Sequence, residues 1–166
     1  MESDSNKPLV SIIMPVFNRE QLIRESIESV IAQTFLNWEL LIVDDGSTDL
    51  TMEVVAEYGC NDSRIISLKR ESGNKGPSCC RNIGIEKARG KYILFLDSDD
   101  YLTSICLEKR VQLFSENPDN DFIVFPMGKF QEKIGDNPGP ANQELDLDPL
   151  QRFIGFNLPW TVTSPI

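Results

Sequence analysis

The sequence predicts an α/β fold, a doubly wound and mostly parallel sheet with helices on both faces. Three observations carry that prediction. Apolar runs without polar alternation recur along the chain, as strands buried on both faces require. Segments of helical spacing separate those runs. Acidic, Ser, Gly and Asn residues gather just after several of the runs, at the carboxyl ends where open sheets of this kind bind ligands.

The elements follow in order. Val10-Ser11-Ile12-Ile13-Met14-Pro15-Val16 is an unbroken apolar run after a polar start, and predicts the first strand. Arg19–Thr34 places Leu22, Ile23, Ile27, Val30 and Ile31 at helical spacing. Trp38–Val43 predicts a second strand that ends in Asp44-Asp45-Gly46-Ser47-Thr48-Asp49, and Leu50–Tyr58 a short helix. Arg64–Leu68 is the third strand. Pro77–Ala88 is a helix with Pro77 in its first turn and a stop at Gly90. Tyr92–Leu96 is the fourth strand, ending in Asp97-Ser98-Asp99-Asp100; a helix over Ser104–Asn117 and a fifth strand over Asp121–Pro126 follow. From Gly128 onward the pattern changes to a long loop through Asp136-Asn137-Pro138-Gly139-Pro140 and a weakly amphipathic stretch at Asp148–Gly155.

Composition narrows the chemistry. The 166 residues suit one domain, and the 40% apolar share is enough for a real core. No apolar run approaches the roughly 18 residues of a membrane span, and MESDSNKP lacks the layout of a signal peptide. Histidine is absent, which excludes a Ser-His-Asp triad, a Cys-His pair and an HExxH zinc site. Acid–base work falls to carboxylates, Lys, Tyr or Cys, and a metal would need oxygen ligands. Cys60, Cys79, Cys80 and Cys106 form no CxxC pair and are expected to be reduced, buried thiols. The net charge of −10 argues against nucleic acid as a partner. The charge is uneven: residues 64–91 carry 8 basic and 2 acidic side chains, a pattern that fits either a solvated face or the place of a phosphorylated ligand.

Three loops carry the chemistry. Carboxylates crowded in Asp97-Ser98-Asp99-Asp100 repel one another unless a cation offsets them, and Mg²⁺ or Mn²⁺ does so with one or two carboxylates plus water and phosphate oxygens. A helix cap is the plainer alternative, but one Asp would serve it. In Asp44–Asp49, Gly46 allows the turn and Ser47 or Asp49 caps the next helix, while Asp44 or Asp45 is left to accept a hydrogen bond from a base or ribose. Glu71-Ser72-Gly73-Asn74-Lys75-Gly76-Pro77-Ser78 leads into a helix N-terminus that could face an anion. It has neither the P-loop spacing nor GxGxxG, which weighs against an NTPase or a dinucleotide dehydrogenase. Arg81, one turn further on, is either a surface ion-pair partner or part of the site.

The sequence Ser11-Ile12-Ile13-Met14-Pro15-Val16-Phe17-Asn18, then Val43–Asp49, then Gly76-Pro77-Ser78 with Arg81-Asn82-Ile83-Gly84, then Phe95-Leu96-Asp97-Ser98-Asp99-Asp100 resembles the nucleotide-sugar domain of glycosyltransferase family 2, of the Rossmann-like GT-A fold. The resemblance covers roughly residues 8–127, with the motifs in the family's order. It implies that Pro15, Val16, Phe17, Asn18 and Glu20 line a nucleotide pocket, with Phe17 where the family often has Tyr. It implies Asp44, Asp45 and Ser47 near base or ribose, Arg81 near base or phosphates, and Ser98 beside the donor. Asp97 and Asp99 would be the DxD pair, Asp97 near the ribose and a Mn²⁺ or Mg²⁺ ion, Asp99 on that ion. The implied reaction is an inverting transfer from a nucleotide-diphosphate sugar, with UDP favoured, to an acceptor hydroxyl on a saccharide or lipid-linked saccharide. Polysaccharide or glycoconjugate synthesis is the implied setting, in the cytoplasm and at most peripherally at the inner face of the membrane.

By the same resemblance, residues 1–7 are a disordered tail, 8–127 the donor-binding domain, and 128–166 the start of an acceptor-side region cut short. The catalytic base is expected beyond Ile166, and Glu144, Asp146 and Asp148 are not assigned to that role. A fragment that binds nucleotide without turnover is the main alternative. A phosphatase-like DxD enzyme fits less well, because Tyr101 stands where Thr or Val belongs and the motif ends the fourth strand, not the first. A sugar-nucleotide pyrophosphorylase lacks its Gly-rich N-terminal loop here.

Overall fold

The computed structural model describes residues 7–71 and 73–124. Four parallel strands, β1 (Val10–Val16), β2 (Trp38–Asp44), β3 (Ile65–Lys69) and β4 (Tyr92–Phe95), lie in the order β3-β2-β1-β4. Between and after them run α1 (Ile23–Ile31), α2 (Thr51–Asn61), α3 (Pro77–Lys87) and α4 (Cys106–Glu116). The predicted α/β architecture therefore forms, with helices on both faces.

The unbroken apolar runs become strands buried on both sides. Val10, Ile12, Met14 and Val16 of β1 pack with Ile23, Ile27 and Val30 of α1, Val54 and Val55 of α2, and Leu107 and Phe114 of α4. The alternate residue Ile13 turns the other way and joins Leu41, Val43 and Cys80 of α3. Each fully buried Ile or Leu contributes about 1.5–3 kcal/mol. α3 lies so close to β1 that a Cβ at Gly84 would sit 2.3 Å from Ile13 Cγ2.

Several boundaries differ from expectation. α1 starts at Ile23 and not at Arg19, because residues 19–22 form a turn in which the Arg19 carbonyl accepts from both Leu22 and Ile23 N–H. It ends at Ile31, since Thr34 N–H is already committed to Ser104 C=O. That same bond helps delay α4 to Cys106, whose N–H is held by Thr103 C=O. α2 runs to Asn61, beyond the expected Tyr58. The fifth strand expected at Asp121–Pro126 does not appear over 121–124, which are irregular; β4 has a ladder partner only in β1 among the described residues. Phe125 and Pro126, the expected loop and the amphipathic stretch at 148–155, and the expected tail apart from Lys7 lie outside the described residues. Among the described residues no helix is long and apolar enough to cross a membrane. The cysteines are free, but only Cys80 is buried; Cys60 is exposed, and Cys79 and Cys106 are intermediate, so the expectation of buried thiols holds for one position.

Candidate functional site

The strand order reverses between β1 and β4, since β1 leads to β2 and β3 on one side while β4 adds on the other. That switch point is where a crevice opens in sheets of this class. The register makes the crevice. β4 pairs only with Val10–Ile13, so β1 continues beyond it through Met14, Pro15 and Val16. Ile13 C=O accepts from Leu96 N–H on the β4 side, and Val16 C=O accepts from Asp45 N–H on the β2 side. Backbone groups alternate in direction along a strand, so Pro15 also faces the β4 side, past the end of β4. Its missing N–H costs no ladder bond there.

A pocket of about 360 Å³ fills the crevice. Pro15, Val16, Phe17 and Arg19 form one wall, from β1 and the loop after it; Asp97, Ser98 and Asp99 form another, from the loop after β4. Asp45, Pro77, Cys80 and Arg81 complete it. The Phe17 ring is half exposed.

The acidic loop is not a helix cap. α4 begins at Cys106, and its first N–H groups go to Thr103 C=O and, from Leu107, to Gln33 Oε1 at 3.0 Å. Asp97 and Asp99 are instead matched by guanidinium groups across the pocket. Arg81 Nη2 donates to Asp97 Oδ1 at 2.5 Å, and Arg19 Nη2 lies 3.7 Å from Asp99 Oδ2. Arg81 Nε is buried without a hydrogen-bond partner. Asp100 has no such offset: burial, with the charges of Asp97 and Asp99, pushes its carboxyl up to about 6.

The loop after β2 is built differently. Asn18 adopts a left-handed conformation with φ of 51°, and its Oδ1 accepts from Thr48 N–H at 2.8 Å. Its own N–H donates to Ser47 Oγ at 3.0 Å, while Asp44 Oδ1 accepts from Ser47 N–H at 2.9 Å. Glu20 Oε2 accepts from Leu50 N–H at 3.0 Å, and Asp49 Oδ1 accepts from Thr51 N–H at 3.1 Å. Asn18, Glu20, Asp44 and Ser47 thus tie the loops after β1 and β2 together beside the pocket, and Asp44 is buried. Asp45 is the acid of this loop that faces the pocket. Its Oδ1 accepts from Arg70 Nε, and its Oδ2 from Gly76 N–H at 2.9 Å. Burial works to raise the Asp45 carboxyl, but the bonds from Arg70, Gly76 and Cys80 outweigh it and hold it below the usual range. Burial and the neighbouring Asp45 push the Cys80 thiol up to about 11, so it is an unreactive thiol.

The residues present suit a hard divalent cation. Asp97 and Asp99 supply carboxylate oxygens on an open pocket. Among the described residues no three His, Cys, Asp or Glu side chains group as a complete metal shell. Mg²⁺ and Mn²⁺ do not need one, because water and phosphate oxygens fill the remaining positions.

Residues 11–163 match the family model for glycosyl transferase family 2. The chain belongs to that family. As a family 2 chain it is similar to an uncharacterized glycosyltransferase of Haemophilus influenzae, 45% identical over 68% of this chain and 44% of that protein. It is also similar to the Escherichia coli UDP-Glc:alpha-D-GlcNAc-diphosphoundecaprenol beta-1,3-glucosyltransferase WfgD, 46% identical over 74% of this chain and 46% of that protein. The chain therefore spans less than half the length of these curated relatives. Among solved structures, S. aureus TarS 1-349 in complex with UDP-GlcNAc matches with a TM-score of 0.68 and 30% identity, over 75% of this chain and 36% of that one. The α/β sheet is that of the GT-A fold.

Three pocket residues of this family 2 chain, Arg19, Pro77 and Cys80, escaped the sequence reading. The signal for two of them was present, because Pro77, Cys80 and Arg81 are spaced i, i+3 and i+4 on one helix face. A larger hollow of about 680 Å³ lies against Tyr92, Ile93 and Phe95 of β4 and Phe114 of α4. Lys91 and Asp121 line it too, but among the described residues no ion pair joins charges within it, unlike the Arg81–Asp97 and Arg19–Asp99 pairs of the smaller pocket.

Proposed function

We propose that this chain is the donor-binding part of an inverting glycosyltransferase, taking a nucleotide-diphosphate sugar, UDP-linked, together with Mn²⁺ or Mg²⁺, in the pocket between the loops after β1 and β4. One observation carries this reading: Asp97 and Asp99 meet Arg81, Arg19 and the half-exposed Phe17 at the sheet's switch point. In this reading residues 8–127 form the donor-binding unit.

The roles follow from chemistry. The Phe17 ring offers a face for a base to stack on. Asp45 offers an oriented acceptor for a base N–H or ribose hydroxyl. Arg81, with an unused buried Nε–H, and Arg19 bring positive charge to the diphosphate side. Asp97 and Asp99 would hold the cation, which when bound offsets charge building on the departing nucleoside diphosphate. The acceptor hydroxyl would attack the anomeric carbon in one displacement, its proton taken by a carboxylate base outside the described residues. The WfgD name, with its diphosphoundecaprenol-linked sugar, supports a saccharide or lipid-linked saccharide acceptor. It also supports a role in polysaccharide or glycoconjugate synthesis, which in this reading takes place in the cytoplasm and at most peripherally at the inner face of the membrane.

Titration calorimetry with UDP, with and without Mn²⁺, tests the donor reading. UDP is expected to bind only with metal and more tightly than GDP, and Asp99→Ala is expected to weaken it by tenfold or more, about 1.4 kcal/mol. A folded sample that binds neither nucleotide with Mn²⁺ present overturns the reading.

A further inference from the structure

We propose that Arg70 is a positioning residue for the nucleoside half of this pocket: it holds the Asp45 carboxylate in the pocket wall as an oriented acceptor and draws the 73–76 loop against it. The inference rests on the donor reading above, but on observations of its own.

Arg70 stands one residue past the end of β3, at the sheet edge farthest from β4. Its backbone N–H donates to Asp44 C=O at 3.0 Å, extending the β2–β3 ladder by one step. From that anchor the side chain, only 10% exposed, spends each guanidinium nitrogen on the loops beside it. Nε goes to Asp45 Oδ1, Nη2 to Asp45 C=O at 3.3 Å, and Nη1 to Gly73 C=O at 3.3 Å. The other Asp45 oxygen takes the Gly76 N–H, at a glycine whose φ of +124° side chains rarely adopt. Pro77, the first residue of α3, follows directly, with Cys80 and Arg81 one turn on. Arg70 therefore sets the position of Asp45 and, through Gly76, the start of the helix that carries Arg81.

The count of hydrogen bonds explains why such a clamp suits binding. A carboxylate accepts about four. Arg70 Nε and Gly76 N–H take one on each oxygen, and Asp45 lines the pocket with capacity left for a donor from the ligand. An acid fixed by a protein donor on each oxygen loses little rotamer freedom when a further donor arrives from the ligand. Arg70 is not among the residues lining the pocket, so its effect passes through Asp45.

The test is calorimetry on the 166-residue chain with Mn²⁺, comparing UDP with inorganic pyrophosphate, which lacks the nucleoside. Arg70→Met and Asp45→Asn are each expected to lower UDP affinity about tenfold, the loss of one charge-assisted hydrogen bond, and to change pyrophosphate affinity by less than about twofold. The double variant is expected to lose no more than either single one, because both remove the same contact. Arg70→Lys, which keeps the charge without the planar fork, is expected to lose about threefold. It also serves if Arg70→Met fails to melt cooperatively. Unchanged UDP binding in a folded Arg70 variant, additive losses in the double, or an equal loss of pyrophosphate overturns the inference while wild-type UDP binding keeps the donor reading intact. Absence of wild-type binding to UDP overturns both together.

Discussion

Glu39 shows how one carboxylate can organise the end of the sheet opposite the pocket. Its side chain is buried, yet Oε1 accepts from Ser11 Oγ at 2.6 Å and Arg89 N–H at 2.8 Å, and Oε2 accepts from Arg89 Nη2 at 2.7 Å. Burial works to raise its carboxyl, and these donors more than reverse that. Glu39→Gln keeps the shape but removes charge-assisted bonds. It is expected to cost about 2 kcal/mol, read as a lower urea midpoint with an unchanged slope. Nothing in the sequence flagged Glu39, because its partners are brought together only by the sheet. Asp44 and Asp45 make the same point at the pocket. Their neighbourhood was legible, since paired acids before a glycine exceed what a turn needs. Which of them faces the pocket was not, because that depends on Arg70 arriving from β3.

α3 is the element on which packing and site meet. Its apolar contact with β1 depends on Gly84, where a Cβ would fall 2.3 Å from Ile13 Cγ2. Gly84→Ala gains helix propensity but forces β1 and α3 apart, and overpacking of this kind costs about 1–3 kcal/mol. The variant is expected to melt lower and, because Arg81 rides on the same helix, to bind UDP more weakly. α4 offers a second test at this scale. Gln33 Oε1 caps Leu107 N–H, and Gln33 Nε2 donates to Thr103 C=O at 2.9 Å, so Gln33→Leu is expected to destabilise by about 1–2 kcal/mol through an uncapped helix start. Element types were legible in the sequence because strand and helix periodicities differ. Ends were less so: the start of α1 was set by a turn at Arg19, and that of α4 by a bond to Thr34 from a distant loop.

Across the whole molecule, charge and topology set the behaviour. Glu39, Asp45 and Asp62 are all held below their ordinary values, 4.5 for Glu39 and 3.8 for the two Asp residues. In Asp62 the Arg64 bond is the main cause. A depressed carboxyl contributes stability above its unfolded value and loses it as pH falls through the folded one. The Asp100 carboxyl, raised to about 6, works the other way, so stability is expected to rise as pH falls from neutral through about 6 and to drop below about 4.5 as the depressed carboxyls take up protons, read by melting at a series of pH values. The class of fold followed from the pattern of runs. The order β3-β2-β1-β4 did not, because it is fixed by pairings between residues far apart in sequence.

That order bears on when the pocket comes into being. Val10 must find Tyr92, so β1 waits through three helices and two other strands for its second neighbour. Closing so long a stretch of chain is slow, and folds dominated by such pairings form late contacts last. β1, β2 and β3 can assemble as the chain emerges, with Arg70 already reaching Asp45. The carboxylates of the 97–99 loop reach the opposite wall only after β4 has docked. A growing chain thus holds the nucleoside wall before it holds the metal-binding one, and a chain stopped before Tyr92 would have half a pocket and nothing to grip a diphosphate.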